Sequence, residues 1–278
     1  MAKERIDKLL SHQGFGSRKD IKRLLRSHEV LLNGKQIFDP SLGIDLDTDE
    51  LSVDGQAVTF QREVYLMMNK IAHTVSANKD GEHQTVFDLL SPEYRTPYLQ
   101  DKLHLVGRLD MDTEGLLLFT TDGALTHRLI SPKSHIDKTY FVMLEREFTK
   151  EEQADVTRRF EEGIAVGPDD NDPGFTCEPA RVRFPGEGEI NSALEKSSVD
   201  EVCQRLWNGD IEMLRRPARF AVLTITEGKY HQVKRMFTAA GNKVVFLKRL
   251  AMGQLVLDGT LKPGEYRQLK EEELTLLV

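Results

Sequence analysis

Four consecutive apolar residues, Leu116-Leu117-Leu118-Phe119, lie between a polar turn holding three acids and the sequence Thr120-Thr121-Asp122-Gly123. A run this short and this apolar, bounded by turn residues, reads as a buried strand that other elements must cover. Asp122 is placed to cap a helix over Ala124 to Ile130. The turn before the strand reads Gly107-Arg108-Leu109-Asp110-Met111-Asp112-Thr113-Glu114-Gly115. Three acids beside an arginine on such a loop can form a metal site, a general acid/base pair or a hydrogen-bonded turn. A metal usually needs more oxygen ligands than Asp110, Asp112 and Glu114 can turn inward from one tight loop. Asp112 and Glu114, taken alone, are expected to face solvent.

Composition narrows the class. The chain has 278 residues, 39% of them hydrophobic and 30% charged, with a mean hydropathy of -0.42. These values are those of a soluble globular protein of one large domain or a large one with a small companion. No apolar run approaches the roughly 18 residues that a membrane span needs. The start, Met1-Ala2-Lys3-Glu4-Arg5-Ile6-Asp7, lacks the apolar stretch of a secretory signal, so a cytoplasmic location is expected. Cys177 and Cys203 form no Cys-x-x-Cys motif, which argues against a disulfide framework and a structural zinc. The eight histidines include no His-x-x-x-His pair, and no heptad repeat argues for an oligomer.

The net charge of -7 is unevenly placed. Residues 1–38 carry nine Lys/Arg against four Asp/Glu, whereas residues 39–58 carry six acids and no base. A second basic concentration, Lys229, Lys234, Arg235, Lys243, Lys248 and Arg249, lies between Ile225 and Gln254 with only Glu227 for an acid. Two cationic clusters in an acidic chain suggest two surfaces for a polyanion.

In the first cluster, Ile6, Leu9, Leu10 and Gln13 trace a short helix ended by Gly14 and Gly16. Ser17-Arg18-Lys19-Asp20 reads as a capping box starting a second helix, with Ile21, Leu24 and Leu25 on one stripe and Arg18, Lys22 and Arg26 elsewhere. Val30 to Ile37 reads as a hairpin around Asn33-Gly34. A cationic helix beside a hairpin can follow phosphates without reading bases. Near the other end, Val233, Met236, Phe237 and Ala240 form the apolar stripe of a helix that Gly241-Asn242 ends.

The first 55 or so residues resemble the S4-type RNA-binding module, through Arg5-Ile6-Asp7-Lys8, Gly14, Ser17-Arg18 and Val30 through Asn33-Gly34. They depart from it at Ile21 and Glu29, where that module usually has a small residue and a glycine. The resemblance implies RNA contacts from Arg5, Ser17, Arg18, Lys22 and Arg26. Gly107-Arg108-Leu109-Asp110, followed by Asp112-Thr113-Glu114-Gly115-Leu116-Leu117-Leu118, resembles the signature of the RsuA-type ribosomal RNA pseudouridine synthases. Three further matches fall in order: Tyr65-Leu-Met-Met-Asn-Lys70, Lys138-Thr139-Tyr140, and Glu227-Gly228-Lys-Tyr-His-Gln232-Val233-Lys234-Arg235-Met236.

That resemblance implies an α+β chain: an S4-like module over residues 1–60, then a catalytic domain over 61–278 built on a mixed, mainly antiparallel sheet flanked by helices. Gln61-Arg62-Glu63 would be the linker. It implies isomerisation of a uridine to pseudouridine, with Asp110 catalytic, Lys234 its basic partner and Tyr140 packed on the target base. Arg108, His231, Gln232 and Arg235 would bind substrate. Neither metal nor organic cofactor is implied. The Tyr-His-Gln-Val-Lys-Arg form, with His231, resembles enzymes acting on small-subunit (16S) RNA, so ribosomal RNA, free or in an assembling subunit, is the expected partner. The same reaction on 23S RNA, or an RNA-binding assembly protein without chemistry, are the rivals. Residues 185–216, where Pro185-Gly186-Glu187-Gly188 and Ser197-Ser198 surround a mixed helix ending at Arg215-Arg216-Pro217, form an insertion longer than in typical relatives that could be an RNA-contact element, a partner site or a mobile loop.

Overall fold

The amino-terminal turns predicted from glycine and asparagine form as their dihedral preferences dictate. The computed structural model describes residues 3–45, 48–58, 63–169 and 172–277. The chain divides into two compact units, one of residues up to Val64 together with Leu90–Leu103, the other of Tyr65–Leu89 and His104–Val278. The grouping of Leu90–Leu103 with the amino-terminal unit has no counterpart in the sequence pattern. Of the expected linker, only Glu63 is among the described residues.

In the first unit, helices Ile6–His12 and Arg18–Ser27 pack with hairpins around a core of Ile6, Leu10, Ile21, Leu25, Val30 and Ile44. Ser17 closes a reciprocal capping box: the Asp20 N–H donates to Ser17 Oγ, and the Ser17 N–H donates to Asp20 Oδ2. Asn33 (φ 50°) and Gly34 (φ 75°) turn Val30–Leu32 back onto Lys35–Gln36 with both residues left-handed, as a tight hairpin requires. Asp54-Gly55 makes a second turn of this kind, joining Leu51–Val53 to Gln56–Ala57.

The second unit is built on a sheet of nine strands among the described residues. Its main path runs Arg181–Arg183, Phe220–Ile225, Lys138–Leu144, Val244–Met252, Glu114–Thr120, Tyr65–Lys70, Tyr266–Gln268. Every pairing along it is antiparallel except that of Glu114–Thr120 with Val244–Met252. The sheet is therefore mixed and mainly antiparallel, as expected. All seven residues of Glu114–Thr120 are buried, and Asp122 caps helix Gly123–Ile130 by accepting from the N–H groups of Ala124 and Leu125.

One apolar cluster, with Met67, Leu116, Leu118, Leu125, Leu129 and Met252, includes the helix Gly123–Ile130. Another joins Phe141, Met143, Phe220, Val222 and Phe246 to Ile190, Ala193, Val199 and Val202. The latter four come from the expected insertion, which is thus a packed layer and not a loose loop. It holds two helices, Glu187–Leu194 and Val199–Trp207, with Ser197-Ser198 in the break between them. Lys196 (φ 51°) breaks the chain between them, and left-handed Asn208 ends the second.

Candidate active site

Parallel pairing explains how residues more than a hundred positions apart meet. In two parallel strands the segments that lead into them emerge at the same sheet end. The acidic loop leads into Glu114–Thr120, and helix Gln232–Ala239 leads into Val244–Met252. Register then sets a row across four strands: Lys70 opposite Gly115, Gly115 opposite Arg249, and Arg249 opposite Tyr140. Only glycine fits the centre of this row. Gly115 has φ +99°, and a Cβ there would collide with the Arg249 backbone.

Lys234 reaches from the helix to the loop. Its Nζ lies 3.1 Å from Asp110 Oδ2 and donates to Asp112 Oδ1 at 2.6 Å. Burial pulls its ammonium toward neutrality, but the hydrogen bond to Asp112 and the two carboxylate charges outweigh it and hold Lys234 above its ordinary value. Asp110 is not sealed away: its side chain is 32% exposed, at the mouth of a pocket. His231 Nε2 stands 3.9 Å from Asp110 Oδ1, and its Nδ1 lies 3.3 Å from Asp169. His231 holds a left-handed conformation (φ 49°) immediately before the helix and stacks on Tyr230 with ring centroids 3.8 Å apart.

A narrow pocket of about 70 Å³ is lined by Asp110, Thr113, Tyr140, His231 and Lys234. It shares Arg108, Tyr140, Gly228 and Lys229 with a larger cavity of about 220 Å³. Tyr140 is only 7% exposed, and its hydroxyl has no hydrogen-bond partner among the described residues. Arg108 is exposed at the rim and makes no salt bridge among the described residues. A carboxylate, an ammonium, a phenol and a guanidinium thus converge on one opening.

Two of the expected substrate-binding side chains are otherwise engaged. Gln232 is buried; its amide donates to Glu227 Oε2 at 2.7 Å and accepts from the Lys229 N–H at 3.1 Å, which shapes the turn lining the pocket. Arg235 is not brought to the pocket at all. Neighbouring helical positions point about 100° apart, and Arg235 instead donates to Asp172, Tyr230 O and Gly167 O while lying over the Phe175 ring. The expectation for Glu114 also needs correction: it is fully buried, and accepts from the N–H and hydroxyl of Ser198. Burial raises its carboxyl above the ordinary range in spite of those bonds. Asp110 and Asp112 meet Lys234 while Glu114 meets Ser198, so the three acids do not converge, and no metal-holding cluster of His, Cys, Asp and Glu occurs among the described residues.

Lys70 ends the strand Tyr65–Lys70. It is fully buried under the acidic loop, and its Nζ donates to the carbonyls of Ile71 (3.1 Å), Met111 (3.2 Å) and Thr113 (2.9 Å). Burial pushes its pKa down to about 8, against the opposing pull of Asp112, Glu114 and Asp110. An apolar strand ending in lysine was the available signal. Lys248, on the neighbouring strand, is buried too and donates to Ala193 O at 3.0 Å, tying the inserted helices to the same part of the sheet.

In the amino-terminal unit, Arg18, Lys22 and Arg26 lie exposed on one helix face, spaced four apart, without salt bridges among the described residues. Arg5 forms a two-point pair with buried Asp7 (Nε 3.1 Å, Nη2 2.8 Å) that holds the Asp7 carboxyl below its ordinary range. Ser17 is engaged in its cap.

Comparison with known proteins identifies the family. A family model described as RNA pseudouridylate synthase matches residues 64–239, and one described as S4 domain matches residues 4–49. An uncharacterized RNA pseudouridine synthase, YtzG, of Bacillus subtilis (strain 168) is 41% identical over 273 residues, 98% of each chain. The ribosomal small subunit pseudouridine synthase A of Vibrio cholerae is 38% identical over 271 residues, 97% of each chain. A crystal structure of a pseudouridylate synthase covers 99% of both chains with a TM-score of 0.58 and 32% identity. The acidic loop, the lysine helix and the tyrosine strand all fall within the segment matched by the first model, which spans more than half of the sequence, and the chain belongs to the RNA pseudouridylate synthase family.

Proposed function

We propose that this pseudouridine synthase isomerises one uridine of 16S ribosomal RNA, in the cytoplasm, on free RNA or an assembling small subunit. The single observation that carries the reading is the Asp110–Lys234 pair, 3.1 Å apart at the mouth of a pocket walled by Tyr140. The names of the full-length relatives from Vibrio cholerae and Escherichia coli (strain K12), the latter 34% identical over 275 residues, support the small-subunit substrate.

The reaction breaks the N1–C1' bond, turns the freed uracil and forms a C5–C1' bond; C5 gives up its proton and N1 gains one, with no net redox change. Asp110 either bonds to C1' or takes the C2' proton; in both routes it acts as a carboxylate, with the Lys234 ammonium 3.1 Å away. Tyr140 packs on the base with its hydroxyl available for proton transfer. Arg108 and His231 hold the nucleotide at the rim. A stacked uridine cannot present C1' to Asp110, so the target flips out of its helix. Residues 1–60 act as the RNA-binding domain, with Arg18, Lys22 and Arg26 meeting phosphates, and the remainder as the catalytic domain. Arg5 and Ser17 support that surface through Asp7 and Asp20.

Mapping pseudouridine in ribosomal RNA from cells with and without the gene tests this directly. Loss of a single small-subunit site is expected. Loss of a large-subunit site would move the substrate, and an unchanged map would leave an RNA-binding protein without chemistry.

A further inference from the structure

The larger cavity beside the Asp110 pocket has a floor that the mechanism above does not use. Arg249 lines it and is 2% exposed, yet no carboxylate pairs with it among the described residues. Its Nε donates to Leu116 O at 2.8 Å, which fixes the guanidinium, while its buried Nη2 has no hydrogen-bond partner among the described residues. Lys138, also nearly buried, lines the same cavity and donates to the carbonyls of Ile136 and Thr226. Burial, and next the charge of Arg249, hold Lys138 below its ordinary value. The one acid in the lining, Glu227, accepts from Gln232 and the Glu178 N–H and pairs with Lys229.

An unpaired buried guanidinium is costly unless something arrives to meet it. We infer that Arg249 is a further catalytic residue, donating a hydrogen bond to a carbonyl oxygen of the detached uracil and stabilising it as the N1 anion between cleavage and rejoining. This rests on the reading above. When the N1–C1' bond breaks, its electron pair leaves with N1, and the resulting charge spreads to O2 and O4. At the sugar, Asp110 forms a bond to C1', or takes the C2' proton while the C–H pair becomes the C1'=C2' bond. With C1' at Asp110 in the narrow pocket, the ring extends past Tyr140 into the larger cavity, where the cation waits. Preorganised donors aimed at charge that appears only on reaction are the most effective kind.

The geometry of the turn adds to the case. Bringing C5 to the position of N1 by rotation about the C6···N3 axis exchanges C2 with C4, and so O2 with O4. One fixed donor therefore meets a carbonyl oxygen before and after the turn. The cavity's 220 Å³ gives the ring room to make it.

The test is single-turnover conversion of small-subunit RNA carrying either uridine or 5-fluorouridine at the target, by the full chain and by Arg249→Met and Arg249→Lys. Fluorine makes the departing base a weaker base, so it needs less help. On uridine RNA, R249M should slow conversion on the order of a hundredfold, the scale of losing one preorganised donor, with RNA affinity nearly unchanged and R249K intermediate. On 5-fluorouridine RNA, read as the rearranged product, both deficits should shrink. If melting curves show R249M unfolded, R249K alone carries the comparison. Equal deficits on the two RNAs, or a loss confined to RNA affinity, would overturn the role of Arg249 while leaving the parent reading intact. An unmodified chain that converts neither RNA overturns both.

Discussion

The basic residues of the amino-terminal helix and those in and beneath the Asp110 pocket are the same side chains in opposite physical circumstances. Arg18, Lys22 and Arg26 stand in water, without salt bridges among the described residues, where a salt-screened field is all they can offer. Lys70, Lys234 and Arg249 are partly or wholly removed from water, each held by named oxygens within 3.2 Å. Exposed cations attract any phosphate and fix nothing. Buried ones are geometric parts: they set where a loop sits and where a charge can form. The difference teaches that charge count alone predicts RNA affinity but not chemistry, and each side of the comparison can be broken separately.

Outside Asp110 itself, the largest effect is expected from Lys234→Met. It leaves Asp110 and Asp112 as an uncompensated acidic pair, so turnover should fall on the order of a thousandfold, comparable to the loss of a strong electrostatic partner. The deficit should lie in kcat, with the KM for RNA nearly unchanged. A deficit confined to KM would detach Lys234 from Asp110.

Next comes Lys70→Met, which strands three carbonyls beneath the acidic loop. Destabilisation of about 2–4 kcal/mol is expected in denaturant melts, together with reduced turnover as the loop loosens. The protein's own pH dependence reports on the same group. A lysine titrating near 8 when folded and near 10.5 when unfolded releases its proton earlier in the native state. Below about pH 8 both states hold the proton, and the full burial penalty applies. Between 8 and 10.5 the unfolded state binds more protons, so this residue's contribution to stability rises with pH, by about 3 kcal/mol at most. Melts of the full chain compared with K70M over that range check the sign. Parallel curves would mean that Lys70 is not the titrating group.

The smallest effect on chemistry belongs to the exposed helix. Replacing Arg18, Lys22 and Arg26 with Gln should raise the KM for RNA and flatten the salt dependence of binding by roughly two to three phosphate contacts. The deficit should appear in KM far more than in kcat. A kcat loss equal to that of K234M would erase the distinction between the two kinds of cation.

Much of this was legible in the sequence because it is local. The Ser17–Asp20 box, the Asn33-Gly34 turn and the Asp122 cap each follow from a few adjacent residues. Asp110, Tyr140 and Lys234 were legible by resemblance, and the structure brings them to one pocket. What the sequence hid is set by long-range register. The parallel pairing of Glu114–Thr120 with Val244–Met252 puts Arg249 beside Gly115, and no periodicity announces a pairing of that span. Glu114 looked like its exposed neighbour Asp112, yet it is the first strand residue and is wholly buried. Arg235 was expected to bind substrate, but one helical step from Lys234 turns it toward Asp172 and Phe175. Lys70 hid at the end of an apolar strand, where a lysine would ordinarily reach for water.

The most direct measurement is single-turnover pseudouridine formation on small-subunit RNA by Asp110→Asn, with RNA retention measured on the same sample. No detectable product at near-normal retention is the predicted result. Product formed at the rate of the unaltered chain would remove Asp110, and the lysine beside it, from the centre of the reaction.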